Sequence, residues 1–265
     1  MNWIVDTELY KMTAYLEQIF AFVLSKWYYS SAFFFVFFSI LYLLGTYTSE
    51  WIIRHYKRKW NLQQIVHAHK PGQTRKEIQN SFVSIFVFSL QAIPFQLLYA
   101  HGFFKVGFDN PWACLWEIPI LFLWNELHFY TMHWILHRRW FFKNVHKTHH
   151  WSKEPSSYSI YSFHWIEAFM LGTVIFFPVL FHEFQLVSLL SLPVMSIIIN
   201  LLGHCNHEFP SDKPSTSFSK FTFRHSMHHQ ASRGNFGFML PIFDKIFQTQ
   251  VNTNQKKWTR KNLFI

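Results

Sequence analysis

Charge is scarce in this chain. Of its 265 residues only 14% are Asp, Glu, Lys or Arg, against roughly 25% in a typical soluble domain. A soluble protein of this length would struggle to cover its surface with so few. Cysteine is scarcer still: Cys114 and Cys205 stand alone in apolar surroundings, with no CxxC spacing. That excludes a disulfide framework and a thiolate metal site, and both read as ordinary buried residues. No stretch at the N-terminus has the basic start, short apolar core and small-residue cleavage site of a signal peptide. Internal repeats and low-complexity linkers are also missing.

What is present is apolar, aromatic and rich in histidine. Half the residues are hydrophobic, 21% are aromatic, Phe occurs 33 times and His 17 times. A bilayer core of about 30 Å needs roughly 20 apolar residues of helix. Trp27 to Ser49 carries no charge and includes SSAFFFVFFSILYLLGTY, a first span. Ile78 to Phe104 is a second, with Pro94 tolerable as a kink because membrane helices can satisfy the freed backbone groups elsewhere. Pro111 to about Leu136 is a third candidate, though it carries Glu117 and Glu126. Ala168 to Gly203 is apolar apart from His182 and Glu183. One helix over that stretch would reach about 54 Å at 1.5 Å per residue, so a hairpin turning at His182–Glu183 is expected. The segment ELYKMTAYLEQIFAFVL before Trp27 is amphipathic and suits the membrane interface. The expected fold is an all-α integral membrane protein of about four to five transmembrane helices with a cytoplasmic histidine-rich helical cap. Residues 1–75 are expected to form an N-terminal part, and residues 76–265 a histidine-rich membrane domain.

The net charge of +10 has a topological explanation. Arg54, Lys57, Arg58, Lys59, Lys70, Arg75 and Lys76 crowd the loop after the first span, whereas the loop after the second holds only Lys105. The segment from His137 to Lys153 is basic again, as is the tail after His204. This alternation is the positive-inside pattern and puts the histidine clusters on the cytoplasmic side. Nucleic acid is not the expected partner.

Thirteen of the histidines lie between His128 and His229. His133-Trp-Ile-Leu-His137 places two imidazoles on one helical face. His146-Lys-Thr-His149-His150 and His225-Ser-Met-His228-His229 repeat one HxxHH pattern. On a helix its three rings share a face and can serve a metal or a metal pair. With His204 the set reaches nine. A lone zinc takes four ligands, or three and a water, so nine imidazoles imply two metals. Neutral imidazole suits iron, copper, zinc and nickel.

The order HxxxH, HxxHH, HxxHH on a hydrophobic chain resembles the fatty acid hydroxylase/sterol desaturase superfamily from about Lys76 to Thr249. Glu126 and Tyr130 sit where an acidic residue and a Tyr commonly precede the first box. His164-Trp-Ile-Glu167 is similar to the family's HPxE, and Asn200-Leu-Leu-Gly-His204 to its NxxxH. Asn235-Phe-Gly and Phe243-Asp-Lys-Ile-Phe-Gln-Thr249 are similar to the ending NYG…WDRIFGT. Trp134 departs from the usual HRxxH, and Trp165 replaces the Pro of HPxE.

The resemblance implies two irons and the consumption of O2 and electrons to hydroxylate or desaturate a lipid or sterol C–H bond. Carried over by position, it implies His133, His137, His146, His149, His150, His204, His225, His228 and His229 as metal ligands. His164, His207, Glu126, Glu167 and Asn200 are metal-binding or supporting candidates. His128 reads as support or packing, while His55, His67, His69, His101 and His182 are not expected as ligands. Asp244 is expected to cap or pair within the C-terminal segment. No GxGxxG, iron–sulfur cysteine set or haem domain is visible, so an external donor such as cytochrome b5 or ferredoxin with a reductase is expected. The membrane would be the bacterial inner membrane or the endoplasmic reticulum. The alternative is a membrane metal-binding protein or transporter without oxygenase chemistry.

Overall fold

The computed structural model describes residues 2–251. The chain begins with α1 (Asn2–Val23) and α2 (Trp27–Tyr56), crosses a two-residue strand β1 (Gln63–Gln64), and enters α3 (Gln73–Ala100). Then come α4 (Cys114–Leu136) and the short α5 (Arg139–Asn144). Two 3-10 turns, His146–Trp151 and Ser157–Tyr161, lead to α6 (Trp165–Gly172) and α7 (Phe176–Val179). The chain closes with α8 (Leu186–His204), strand β2 (His207–Glu208), α9 (Phe221–Ala231) and α10 (Ile242–Ile246).

Three of these helices, α2, α3 and α8, are long and apolar enough to cross a membrane. The uncharged run that predicts α2 lies within it, the run that predicts α3 continues past its end at Ala100, and Pro94 is accommodated inside α3. Much of the outer surface of α2 is apolar and exposed, Val36, Leu44 and Tyr47 among it. Such a surface requires a hydrocarbon solvent. Small and polar residues bring the helices together. Ser81 of α3 donates to Tyr158 O at 3.2 Å, and Ser49 of α2 shares a hydrogen bond of 2.8 Å with Ser157 Oγ in the same 157–161 turn. At Gly45 an added Cβ would lie 2.8 Å from Leu201 Cδ1, so glycine permits the close approach of α2 and α8.

α4 exposes apolar residues such as Leu115, Ile120 and Leu123, whereas its two carboxylates are buried. Glu117 is turned inward, accepting from His182 Nε2 at 2.9 Å and from Gln185 N at 3.0 Å. Glu126 is turned inward at the other end of the helix, onto the amides of Met239 and Leu240.

The expected hairpin over 168–203 has arms of unequal length. Its second arm is α8, and its first is the shorter apolar helical run Trp165–Val179, in which a 3-10 turn, Thr173–Ile175, separates α6 from α7. Pro178 stands inside the brief α7. The reversal does fall beside His182–Glu183, before α8 begins. The cysteines are half-buried rather than buried, and both are free.

Two apolar clusters hold the bundle. One packs Leu24, Phe95, Leu121, Phe184 and Leu192 near the His182 end. The other packs Tyr42, Ile85, Ile160, Phe163 and Ile197 beneath the histidines. The loop from α2 to α3 is tied to the histidine end. β1 pairs antiparallel with β2, Asn206 Oδ1 accepts from Val66 N at 3.0 Å, and Lys70 and Lys76 both lie over the ring of Trp151.

Candidate metal centre

Nine histidines from α4 and its C-terminal cap, the 146–151 turn, α8 and α9 meet in two groups. His133, His137, His146, His150 and His228 form the first, and His149, His204, His225 and His229 the second. Within each group one nitrogen per ring lies within 4.8 Å of all the others. Together the groups contain all nine residues expected as ligands, and among the described residues no further histidine joins them. The groups adjoin: His150 stacks on His229 with centroids 4.8 Å apart.

Each HxxHH run is divided between the groups, in opposite senses. His146 and His150 go to the first group and His149 to the second, whereas His225 and His229 go to the second and His228 to the first. On α9 the helical turn explains this. At about 100° per residue, positions i and i+4 are about 40° apart and i+3 falls on the other side. The first run is a 3-10 turn instead of the expected helix, so helical periodicity does not aim its rings. His149 Nδ1, like His225 Nδ1, is buried with no partner, but five other rings of the nine are held by outer partners.

Those partners decide which nitrogen faces inward. His133 Nδ1 donates to Phe236 O at 2.8 Å, His228 Nδ1 to Gly234 O at 2.7 Å, and His229 Nδ1 to Ser152 O at 3.0 Å. His204 Nδ1 donates to Asn200 O at 2.9 Å, and His146 Nδ1 to Glu167 Oε1 at 2.7 Å. A ring that donates from Nδ1 presents a lone pair at Nε2, as a metal ligand requires.

The inner nitrogens fit a cation. His228 Nε2 lies 3.1 Å from His150 Nε2. His150 Nδ1 faces Ser232 Oγ at 3.3 Å and His229 O at 3.5 Å, and the tautomer that donates to that carbonyl presents its lone pair at Nε2, towards His228. His146 Nε2 is buried with no partner. Burial holds His146, His149, His150, His225, His228 and His229 well below the usual histidine value, and the neighbouring imidazoles push most of them the same way. These rings are neutral at pH 7 and ready to ligate. A shell of Phe142, Phe163, Phe236 and Phe238 packs on their faces.

The segment that supplies Phe236 O is clamped from two sides. Glu126 accepts from Met239 N at 3.1 Å and Leu240 N at 2.7 Å. Asp244 accepts from Phe236 N and Gly237 N, each at 2.8 Å, and from Thr249 Oγ1 at 2.7 Å. Tyr130 Oη reaches the same Thr249 at 3.0 Å. Glu126 and Asp244 thus position the carbonyl that aims His133.

Other candidates stand outside both groups. His164 caps α6: its ring accepts from Ile166 N at 3.3 Å, and it belongs to neither histidine group. His207 lies on β2 with Nδ1 on Cys205 O at 2.8 Å. Asn200 serves through its carbonyl, and its side chain donates to Ser196 O at 2.8 Å. His182 pairs with Glu117 in the first turn of α4, whereas His133 is in the last. Ser152, Ser232 and Gly234 escape sequence reasoning, because they act through backbone or hydroxyl oxygens and carry no sequence signal for it.

A partly open apolar cavity of about 180 Å³ runs between α2, α3, α4 and α8. Phe34, Phe38, Phe88, Phe95 and Leu192 are among its walls. Phe129, Phe163, Leu171 and Asn200 line it and also line a small pocket touching His133, His146, His149 and His204. The two spaces therefore share a wall at the histidines.

Residues 118–249, about half of the chain, match the model of the family described as fatty acid hydroxylase. The chain is 26% identical to the C-4 methylsterol oxidase erg25 of Schizosaccharomyces pombe, over 59% of this chain and 54% of that protein. It is 24% identical to a Delta(7)-sterol 5(6)-desaturase of Gibberella zeae, over 72% of this chain and 58% of the relative. It is 26% identical to the lathosterol oxidase of Rattus norvegicus, over 66% and 60% respectively. The matches thus span little more than half the length of these relatives. No solved structure matches it. With the histidine boxes, their ordered outer partners and these matches together, the chain belongs to the fatty acid hydroxylase/sterol desaturase superfamily.

Proposed function

We propose that this chain is a membrane-bound oxygenase that uses two irons, O2 and external electrons to hydroxylate or desaturate a lipid or sterol. The observation that carries the reading is the shared wall. An apolar cavity ends where four of the nine histidines begin. Relatives named as sterol oxidases and desaturases agree with it.

Iron suits the donor set. Neither group contains a carboxylate or thiolate, which disfavours magnesium and calcium. Five imidazoles in the first group exceed the four of a tetrahedral zinc site. We assign the nine histidines as ligands, five to one metal and four to the other. Bound there with O2, an iron pair supplies an oxidant able to take hydrogen from an unactivated C–H bond.

The chain's own residues bind, orient and exclude. The phenylalanine walls accept an apolar molecule from the bilayer and leave it one way inward. Phe129 and Phe163 stand between cavity and histidines and keep water from them. Glu167 holds the proton of His146 at Nδ1, so that Nε2 stays a lone pair. In the proposed orientation α2, α3, α4 and α8 cross the bilayer and the histidine end faces the cytoplasm. The basic loop after α2 lies on that same end, with Lys70 Nζ donating to Trp151 O at 2.7 Å. Its positive charge would steer an acidic electron donor.

The test is turnover of the full-length protein, loaded with iron, in lipid nanodiscs with a reductase, a donor protein and 18O2. Expected is a lipid product that has gained one 18O or lost two hydrogens. An iron-replete protein that takes up electrons and yields neither would overturn the proposal.

A further inference from the structure

The cavity is apolar almost throughout, yet six polar side chains line it: Gln91, Asn125, His128, Tyr161, Ser196 and Asn200. All but Ser196 are more than nine-tenths buried. An unpaired polar group in such surroundings is costly, and buried polar groups in native proteins are ordinarily paired. Gln91 Nε2 donates to Phe169 O at 2.8 Å, and its Oε1 is buried with no partner. Asn125 and the Tyr161 hydroxyl make no side-chain hydrogen bond among the described residues, and Asn200 Oδ1 is free; none of these groups is sealed inside the protein.

His128 gives the most specific information. Thr173 Oγ1 donates its proton to Met170 O at 2.7 Å. At the 3.1 Å contact between His128 Nε2 and Thr173 Oγ1 the ring must therefore donate. That fixes the proton on Nε2 and leaves Nδ1 as an acceptor with no partner. Asn125 stands three residues earlier on α4, on the same face, and offers both a donor and an acceptor. An acceptor beside an amide is matched by a hydroxyl, which can donate to His128 Nδ1 while accepting from Asn125. A carboxylate is poorly served, because no Lys or Arg lines the cavity. A plain hydrocarbon would leave both groups unpaired.

We infer that Asn125 and His128 are specificity-determining residues that hold a hydroxyl group of the lipid inside this cavity. The inference narrows the proposed function to hydroxyl-bearing lipids and rests on that reading for its consequence. His128 precedes His133 by five residues, about 7.5 Å along the helix axis. The carbon presented to the metals would thus lie close to the carbon bearing the hydroxyl.

The experiment measures binding, with no turnover required. Full-length protein in detergent is assayed for iron, then for binding of tritiated cholesterol. Competitors are unlabelled cholesterol, 5-cholestene (the same skeleton without the hydroxyl), 1-hexadecanol and hexadecane. Expected is at least about tenfold tighter binding of a hydroxylated probe than of its deoxy partner, the gain of roughly one well-made hydrogen bond. The sterol and straight-chain pairs show which skeleton supplies the hydroxyl. Asn125→Leu and His128→Phe should erase the difference and leave deoxy-probe binding and iron content unchanged; His128→Gln, which keeps an acceptor, should restore part of it. Equal binding within both pairs, a preference untouched in the two variants, or no saturable binding of either hydroxylated probe by iron-loaded protein would overturn the inference. A hydroxyl preference in protein that holds no iron would sustain it while the oxygenase reading fails.

Discussion

His146 Nδ1 and Glu167 Oε1 lie 2.7 Å apart, and each side chain is 1% exposed. The carboxylate fixes the ring's tautomer and rotation, and the other carboxylate oxygen has no partner. This single contact therefore aims His146 Nε2 at the first group. Carboxylates that orient ligating imidazoles are worth about 10–100-fold in metal affinity. Glu167→Ala should weaken retention of one of the two metals by that amount, measured by chelator competition, and Glu167→Gln by less. Unchanged affinity in the alanine variant would remove Glu167 from the site's support.

Asp244 acts at a greater distance from the metals. Asp244→Ala leaves the amides of Phe236 and Gly237 and the Thr249 hydroxyl without their acceptor. Buried orphans cost about 1–3 kcal/mol each. Thermal unfolding in detergent should show a loss of about 3 kcal/mol or more. Because Phe236 O aims His133, the variant should also bind its first metal less well. Normal stability with normal metal content would contradict the clamp.

Gly203 borders the second group. A Cβ there would lie 2.9 Å from two atoms of the Phe238 ring, which packs against His225 with centroids 4.9 Å apart. Gly203→Ala should cost about 1–3 kcal/mol by overpacking. It should also loosen the metal held by His149, His204, His225 and His229 more than the other, read as faster release of one equivalent to a chelator. Equal release of both equivalents would contradict the assignment of Phe238 to that group.

Acid should attack the site through the same histidines. Burial keeps the pKa values of His146, His149, His150, His225, His228 and His229 below 6.5 in the folded protein. The unfolded chain therefore takes up protons near pH 6.5 that the folded chain refuses. Stability is full above pH 6.5 and falls as pH drops below it, more steeply than one titrating group allows. Metal binding needs the same neutral rings and sharpens the effect. Melting temperature and retained metal, followed from pH 7.5 to pH 5.5, should fall together. Level curves across that window would show that the rings are not held neutral by burial.

Much of the fold and of the metal centre is legible in the amino-acid sequence. The uncharged run around Phe33–Phe38 is enough to identify α2, because nothing else explains so many exposed aromatics. The nine histidines can be picked from their spacing, together with the resemblance. Their division cannot. The 146–150 run and the 225–229 run are identical in pattern, yet one is a 3-10 turn and the other a helix, and they serve the groups in opposite senses. The helical turn divides the 225–229 run, whereas the division of the 146–150 run rests on its being a 3-10 turn, and the shared pattern does not show which form each run takes. His164 is ambiguous in sequence for a related reason: an imidazole nitrogen can cap a helix as well as bind a metal, and only the 3.3 Å approach of Ile166 N decides. The shortness of the arm Trp165–Val179 is hidden because hydropathy measures how apolar a stretch is and not where its helix ends.

The central claim is that the two histidine groups each hold one iron. Iron per chain, measured by elemental analysis of the full-length protein purified in detergent, tests it most directly. Wild type should hold close to two. His228→Ala, in the first group, and His225→Ala, in the second, should each hold close to one, and the double variant close to none. One tightly held metal in wild type, or two that persist in the double variant, would contradict the account.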